Sequence, residues 1–246
     1  MSELVERFET GLDPARWVDA YLPAWSSRAA SAAAWSTGVD GLSLTIPADH
    51  PRWCPDSHPE PLRVSGVQSG SWSGPVGSTR GQQPFREGLV VREAQPELRG
   101  IVTRLGRVEV ECRADVGPGS MFSAWMIGME DEPERCGEIC LVEVFGDAVA
   151  DGTVALGSGV HPFRDPALVE EFSADPVALD VGAWHTYAVD WRADGITWFL
   201  DGEVVRESRQ SPGYPLLLVL AVFDFPSQRH DDHVPRLDVR QVRVVD

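Results

Sequence analysis

Residues 138–145 read EICLVEVF, placing Glu138 and Glu143 in a run that is otherwise apolar. A carboxylate inside a protein costs free energy unless it is paired, hydrogen-bonded or protonated, so two in one short segment need an explanation. In a regular strand the side chains at i and i+2 share a face. Glu138, Cys140 and Val142 then point one way and Glu143 the other. One extra residue, a β-bulge, returns Glu143 to the face of Glu138, and bulges recur beside active sites. Without it, Glu143 faces solvent and Glu138 merely ends the strand; the spacing alone leaves both readings open.

Outward from this segment the period of two persists. Residues 107–114 (RVEVECRA) put Val108, Val110 and Cys112 on one side and Glu109, Glu111 and Arg113 on the other, and 185–191 (HTYAVDW) do the same. Ile196 to Asp201, then Gly202, then Glu203 to Arg206 read as a hairpin with an Asp-Gly turn. Leu216 to Val222 (LLLVLAV) is a continuous apolar run, as a strand buried on both faces shows. Leu237 to Val245 supplies a final strand. The helical signal is confined to a short stretch at Asp165–Phe172. Many short strands divided by turn signals predict an all-β sandwich or barrel. Residues 47–84, rich in Pro, Gly, Ser and Trp, read as long loops with short strands between them, the kind of segment that carries function on a compact domain.

The 246 residues fit one all-β domain spanning 1–246. The net charge of −17 argues against nucleic acid and anionic membranes, which are bound through clustered basic residues. All 21 basic residues are arginine, which reads as codon bias of a GC-rich bacterial genome. Residues 1–12 carry no basic start, apolar run or small-residue cleavage site, so the expected location is the cytoplasm, or outside the cell if a leader has been removed. Cys54, Cys112, Cys136 and Cys140 form no metal-ligand spacing and are expected as free thiols. No cofactor or catalytic metal is expected, and the chain is expected to be a monomer.

Two carboxyls on one face suit the cleavage of a glycosidic bond. One attacks the anomeric carbon while the other protonates the leaving oxygen and then deprotonates water. The acid must hold its proton near neutrality, which burial and a nearby negative charge achieve.

Residues 137–143 (GEICLVE) resemble the signature of glycoside hydrolase family 16, in which a glutamate, an aspartate two residues on and a second glutamate line one bulged strand. Residues 105–128, His161, 185–202 and 214–226 resemble that family's other strands in order and spacing, and 8–17 (FETGLDPARW) its first strand and turn. The resemblance implies a concanavalin A-like β-jelly-roll sandwich of two curved antiparallel sheets. It implies Glu138 as nucleophile and Glu143 as general acid/base of a retaining glycosidase or transglycosidase, with a β-linked glycan or glycoconjugate as substrate. Two departures stand out. The family aspartate is Cys140 here, a weak donor that reads first as a small buried apolar residue. The family's Trp-Pro pair is Met121-Phe122, so the flat stacking face beside the cleavage point is missing. The resemblance also implies a structural calcium site at Asp238, although Arg7 takes part of the N-terminal pattern.

Further candidates for substrate contact are His161, whose family counterpart lines the cleft; Trp125, as cleft wall; Trp53 and Trp72, as stacking rings or packing residues; and Arg80, with Arg86 near it, as a binder of anionic substituents or a surface charge. The run 230–233 (HDDH) reads as a solvated loop, since adjacent strand positions face opposite ways. Beside the retaining enzyme stand two alternatives: a related fold acting inside the cell on a small glycosylated metabolite, and a carbohydrate-binding protein without catalysis. Two buried acids at this spacing argue against the last.

Overall fold

A computed structural model describes residues 3–150, 152–229 and 231–246 of the protein. Two large antiparallel sheets pack face to face as a β-jelly-roll sandwich. Across the first sheet the strands run Glu203–Ser208, Gly195–Leu200, His185–Arg192, Gly106–Asp115, Arg236–Val245, Gly41–Thr45 and Ala34–Gly38, with Glu3–Glu6 also beside Arg236–Val245. Across the second they run Val149–Ala150, Thr153–His161, Glu138–Phe145, Ser120–Gly128, Leu216–Asp224 and Arg63–Gln68. Glu171–Ala178 adds to the edge at Thr153–His161, and Val102–Thr103 pairs with Leu216–Asp224.

The alternating strands build the core between the sheets. Val108, Val110 and Cys112 meet Phe122, Ala124, Met126, Leu218 and Leu220, and their charged neighbours Glu109, Glu111 and Arg113 stay on the outer face. Leu216–Asp224 is buried at every position because its sheet is covered twice. Leu216, Leu218, Leu220 and Val222 face the core, whereas Leu217, Val219, Ala221 and Phe223 face a second apolar cluster closed by the loop residues Leu22, Trp25, Trp53, Leu89 and Val91. Each buried leucine, valine or phenylalanine among them contributes roughly 1.5–3 kcal/mol. The loops therefore form a third layer and seal one side of the second sheet.

The Asp-Gly hairpin forms as expected, with Asp201 at φ 51° and Gly202 at φ 87°, the left-handed pair of a type I′ turn. Residues 165–172 do not form a helix. The Asp165 carboxylate accepts the backbone N–H of Ala167 at 2.8 Å, closing a local turn, and Glu171–Ala178 goes on as a strand. All four cysteines are buried free thiols.

Candidate active site

Strand Glu138–Phe145 carries the bulge. Its pairing with Ser120–Gly128 runs Cys140 to Trp125 and then Val142 to Ala124, skipping Leu141; with Thr153–His161 it jumps from Cys140–Gly159 to Glu143–Gly157. Ile139, Leu141, Val142 and Val144 accordingly point into the core, two of them consecutive. Glu138, Cys140 and Glu143 share the opposite face. The indole N–H of Trp198, from the other sheet, donates to the Cys140 carbonyl at 2.7 Å and pins the bulge from within the core.

Glu138 and Glu143 line one pocket of about 160 Å³ with Tyr21, Gln83, Met121, Ser123, Trp125 and Phe223. A larger groove, about 700 Å³, lies against the Gly195–Ser208 hairpin with Glu171, Asp190 and Arg192; it contains neither glutamate. Paired carboxyls, not volume, identify the chemistry, so the smaller pocket is the candidate site.

Glu138 is 8% exposed. Burial, then the neighbouring charge of Glu143, pushes its carboxyl from 4.5 up to about 8, against a hydrogen bond from Gln83 that favours the ionised form. Burial raises Glu143 as well, with His161 pulling it back. Two carboxyls in one dry pocket resist ionising together, so the pair holds a proton where free carboxyls would both be charged. The Gln83 amide donates through Nε2 to Glu138 Oε2 at 2.6 Å, and its Oε1 accepts the Trp125 indole N–H at 3.3 Å. His161 stands opposite Glu138 in register, with Nε2 4.0 Å from Glu138 Oε1, Nδ1 2.9 Å from Glu170 and the ring stacked on Phe172. Tyr21 enters from the loop layer, edge-on to Trp125 and Phe223. Its phenol is pushed far up by burial and then by the Glu138 charge, so it stays protonated.

Of the residues singled out from sequence, Glu138, Glu143, Met121 and Trp125 line the pocket, and Cys140 lies buried on the same face. His161 adjoins Glu138. Trp53, Trp72 and Arg80 are not among the lining residues. Trp53 is packed against Tyr21 and Phe85 and donates its indole N–H to the Tyr21 carbonyl at 3.1 Å, so it supports the pocket wall from behind. Arg80, exposed on the loop layer, stacks on Trp72 at 4.9 Å and donates to the Asp131 carbonyl at 2.5 Å, while Trp72 is partly buried against the second apolar cluster. Arg86, which follows Arg80 in sequence, does not line the pocket either. Gln83, Tyr21, Ser123 and Phe223 were not singled out. The loop-rich composition of 47–84 pointed at the segment that supplies Gln83, but nothing local marks that residue among its neighbours.

Asp238 does not fit a calcium site. Arg113 Nε lies 3.0 Å and Arg236 Nε 3.4 Å from its Oδ2, and two guanidinium groups occupy the space where a calcium ion requires six to eight oxygens. Of residues 230–233, His230 lies outside the described residues; His233 is held by Asp115 at 2.9 Å and by an Arg229 contact to its carbonyl.

Comparison with known proteins agrees with this architecture. Residues 102–222 match the family described as Glycosyl hydrolases family 16. Crh-like protein 5 of Aspergillus fumigatus is 32% identical over 101 residues, 41% of this chain and 23% of that protein. The chain thus spans under a quarter of that curated relative's length. Among solved structures, a GlcNAcα1-4Gal-releasing endo-β-galactosidase from Clostridium perfringens superposes with a TM-score of 0.83 at 23% identity, over 98% of this chain and 60% of that one. A Crh5 transglycosylase superposes at 0.61 with 18% identity, over 100% and 84%.

Proposed function

Because this chain belongs to glycosyl hydrolase family 16, as a divergent member, we propose that it is a retaining enzyme that cleaves or transfers β-linked glycans or glycoconjugates at the Glu138–Glu143 pocket. The observation that carries this reading is the bulge at Leu141, which brings both carboxyls to one pocket face. In the first step a Glu138 carboxylate oxygen attacks the anomeric carbon. The bond to the leaving oxygen breaks, and the Glu143 proton moves to that oxygen. In the second step Glu143 takes a proton from the acceptor hydroxyl, whose oxygen displaces Glu138 from the sugar. Each step needs one carboxylate and one carboxylic acid, and a pair that holds a proton supplies both.

The acceptor in the second step is water or a sugar hydroxyl. The superposition on a transglycosylase and the similarity to a Crh-like protein support transfer to a second sugar. The test is incubation with β-glucans, β-galactans and aryl β-glycosides, with and without oligosaccharide acceptors, beside the Glu138→Gln variant. Wild-type cleavage or transfer that retains the β-anomer and disappears in the variant is expected. Equal activity in both proteins removes Glu138 as nucleophile.

A further inference from the structure

Between its two glutamates the carboxylate strand presents only Cys140 to the pocket face. Burial, followed by the charges of Glu138 and Glu143, keeps that thiol protonated, and a thiol is a weak donor. The hydrogen bond that Glu138 receives comes instead from a distant loop, through Gln83 Nε2 at 2.6 Å. The direction of the amide is fixed by its surroundings: Trp125 offers only a donor, so Oε1 turns to the indole and Nε2 to the carboxylate.

The backbone of Gln83 is held as firmly as its side chain. Its φ is 43°, in the left-handed region that non-glycine residues adopt only when their surroundings impose it. Its N–H donates at 2.5 Å to Oε1 of Glu130. Glu130 is itself 2% exposed, has φ 55° and is ion-paired through Oε2 with Arg164, from the turn after His161. The strand of Trp125, the segment of Glu130 and, through Glu130, Arg164 thus hold one glutamine whose amide ends on the Glu138 carboxyl.

We propose that Gln83 is the positioning residue for Glu138, fixing its carboxyl toward the pocket and favouring its ionised form against the burial that opposes it. The proposal rests on the reading of Glu138 as the attacking group. Burial alone places the proton on the more deeply enclosed acid, Glu138; an amide N–H, which can only donate, stabilises the ionised form and acts the other way. No hydrogen-bond donor to the Glu143 carboxyl is found among the described residues. The other titratable groups facing Glu138 are Glu143 and Cys140 on its strand, His161 on the next strand, Glu170 beyond it and Tyr21 from the loop layer.

The test follows the ionisation of Glu138 directly, so that it does not depend on turnover. In protein labelled with 13C at glutamate Cδ, the Glu138 signal is assigned by its loss in Glu138→Gln and titrated in wild type, Gln83→Met and Trp125→Phe. Gln83→Met keeps the length of the side chain and removes the donor; its Glu138 midpoint is expected to rise by about one pH unit, a tenfold loss of ionised form. Trp125→Phe frees the amide to turn and should shift the midpoint in the same direction by less. An unmoved or lowered midpoint in folded Gln83→Met overturns the proposal, and if that variant does not fold, the Trp125→Phe midpoint decides in the same way. Absence of turnover on every glycan would count against the proposed function while leaving this titration readable. Where turnover is found, the acid limb of kcat/KM should move with the NMR midpoint.

Discussion

Replacing Glu138 by glutamine should stabilise the protein, and by an amount that depends on pH. The side chain is 8% exposed and its carboxyl is pushed from 4.5 up to about 8 by burial and by Glu143. Below about pH 4.5 both folded and unfolded chains hold the proton, and glutamine is nearly isosteric with the protonated acid, so the variant should match wild type within about 0.5 kcal/mol. Between 4.5 and about 8 the unfolded chain ionises while the folded one keeps its proton, so wild-type stability falls as pH rises. The gap corresponds to a ceiling of roughly 5 kcal/mol, at 1.36 kcal/mol per pH unit. Relaxation of the pocket lowers this, and a gain of at least about 2 kcal/mol for Glu138→Gln at pH 8.5 is expected. Urea unfolding at pH 4.5 and pH 8.5 reads it as a rise in midpoint of roughly 1 M at the higher pH only. An equal difference at the two pH values would show that Glu138 ionises as an exposed carboxyl does, and the electrostatic account of the site would fail.

Activity on a responsive glycoside should climb with pH through a limb above 4.5, since attack needs the Glu138 carboxylate and burial delays its formation toward about 8; kcat/KM measured from pH 4 to 9 checks this, and a limb at or below 4.5 contradicts it. Trp198→Phe removes the donor that pins the bulge at the Cys140 carbonyl, and should cost about 1–3 kcal/mol in urea unfolding while lowering kcat more than it changes KM. Asp224→Asn should cost about 3–5 kcal/mol, because Asp224 is fully buried between Arg63 at 2.7 Å and Arg229 at 3.2 Å; a loss under 1 kcal/mol would show that the two guanidinium groups reach water without it.

The strands were legible because a sheet with one wet face writes its period into the sequence, as at Val108, Val110 and Cys112 beside Glu109, Glu111 and Arg113. The uninterrupted run at Leu216 was legible for the complementary reason, a second apolar layer on its far side. The cost of two enclosed acids raised the bulge as one of two readings of the strand, and the register shift beside Leu141 decides for it. The lining of the pocket was less accessible to such reasoning. Trp53 and Trp72 are alike in composition and context, yet one is sealed behind Tyr21 and the other stacks under Arg80 on the loop layer, and only the path of the loops separates them. Gln83 and Tyr21 reach the glutamates from segments more than 50 residues away in sequence, so no local pattern ties them to the site. The helical signal at 165–172 yielded to a side-chain-capped turn at Asp165 and to pairing of the next strand.

This division between strand and loop has a consequence for the chemistry. The strand sets where the acids stand: Leu141 makes the bulge and Trp198 holds it from the core, so a change there moves both carboxyls together. The loop layer sets how they ionise. Tyr21 closes the pocket from the loops, against Phe223 of strand Leu216–Asp224, and burial is the largest influence on both carboxyls. Gln83, held by Glu130 and Arg164, works against that burial at one of the two acids. Substitutions among loop residues should therefore retune pH dependence and acceptor choice while leaving the glutamate geometry intact, whereas substitutions in the strand should reduce activity at every pH. Loop segments tolerate change more readily than the core strands behind them, which gives a physical route by which one sandwich accommodates different glycans and acceptors without moving its two glutamates.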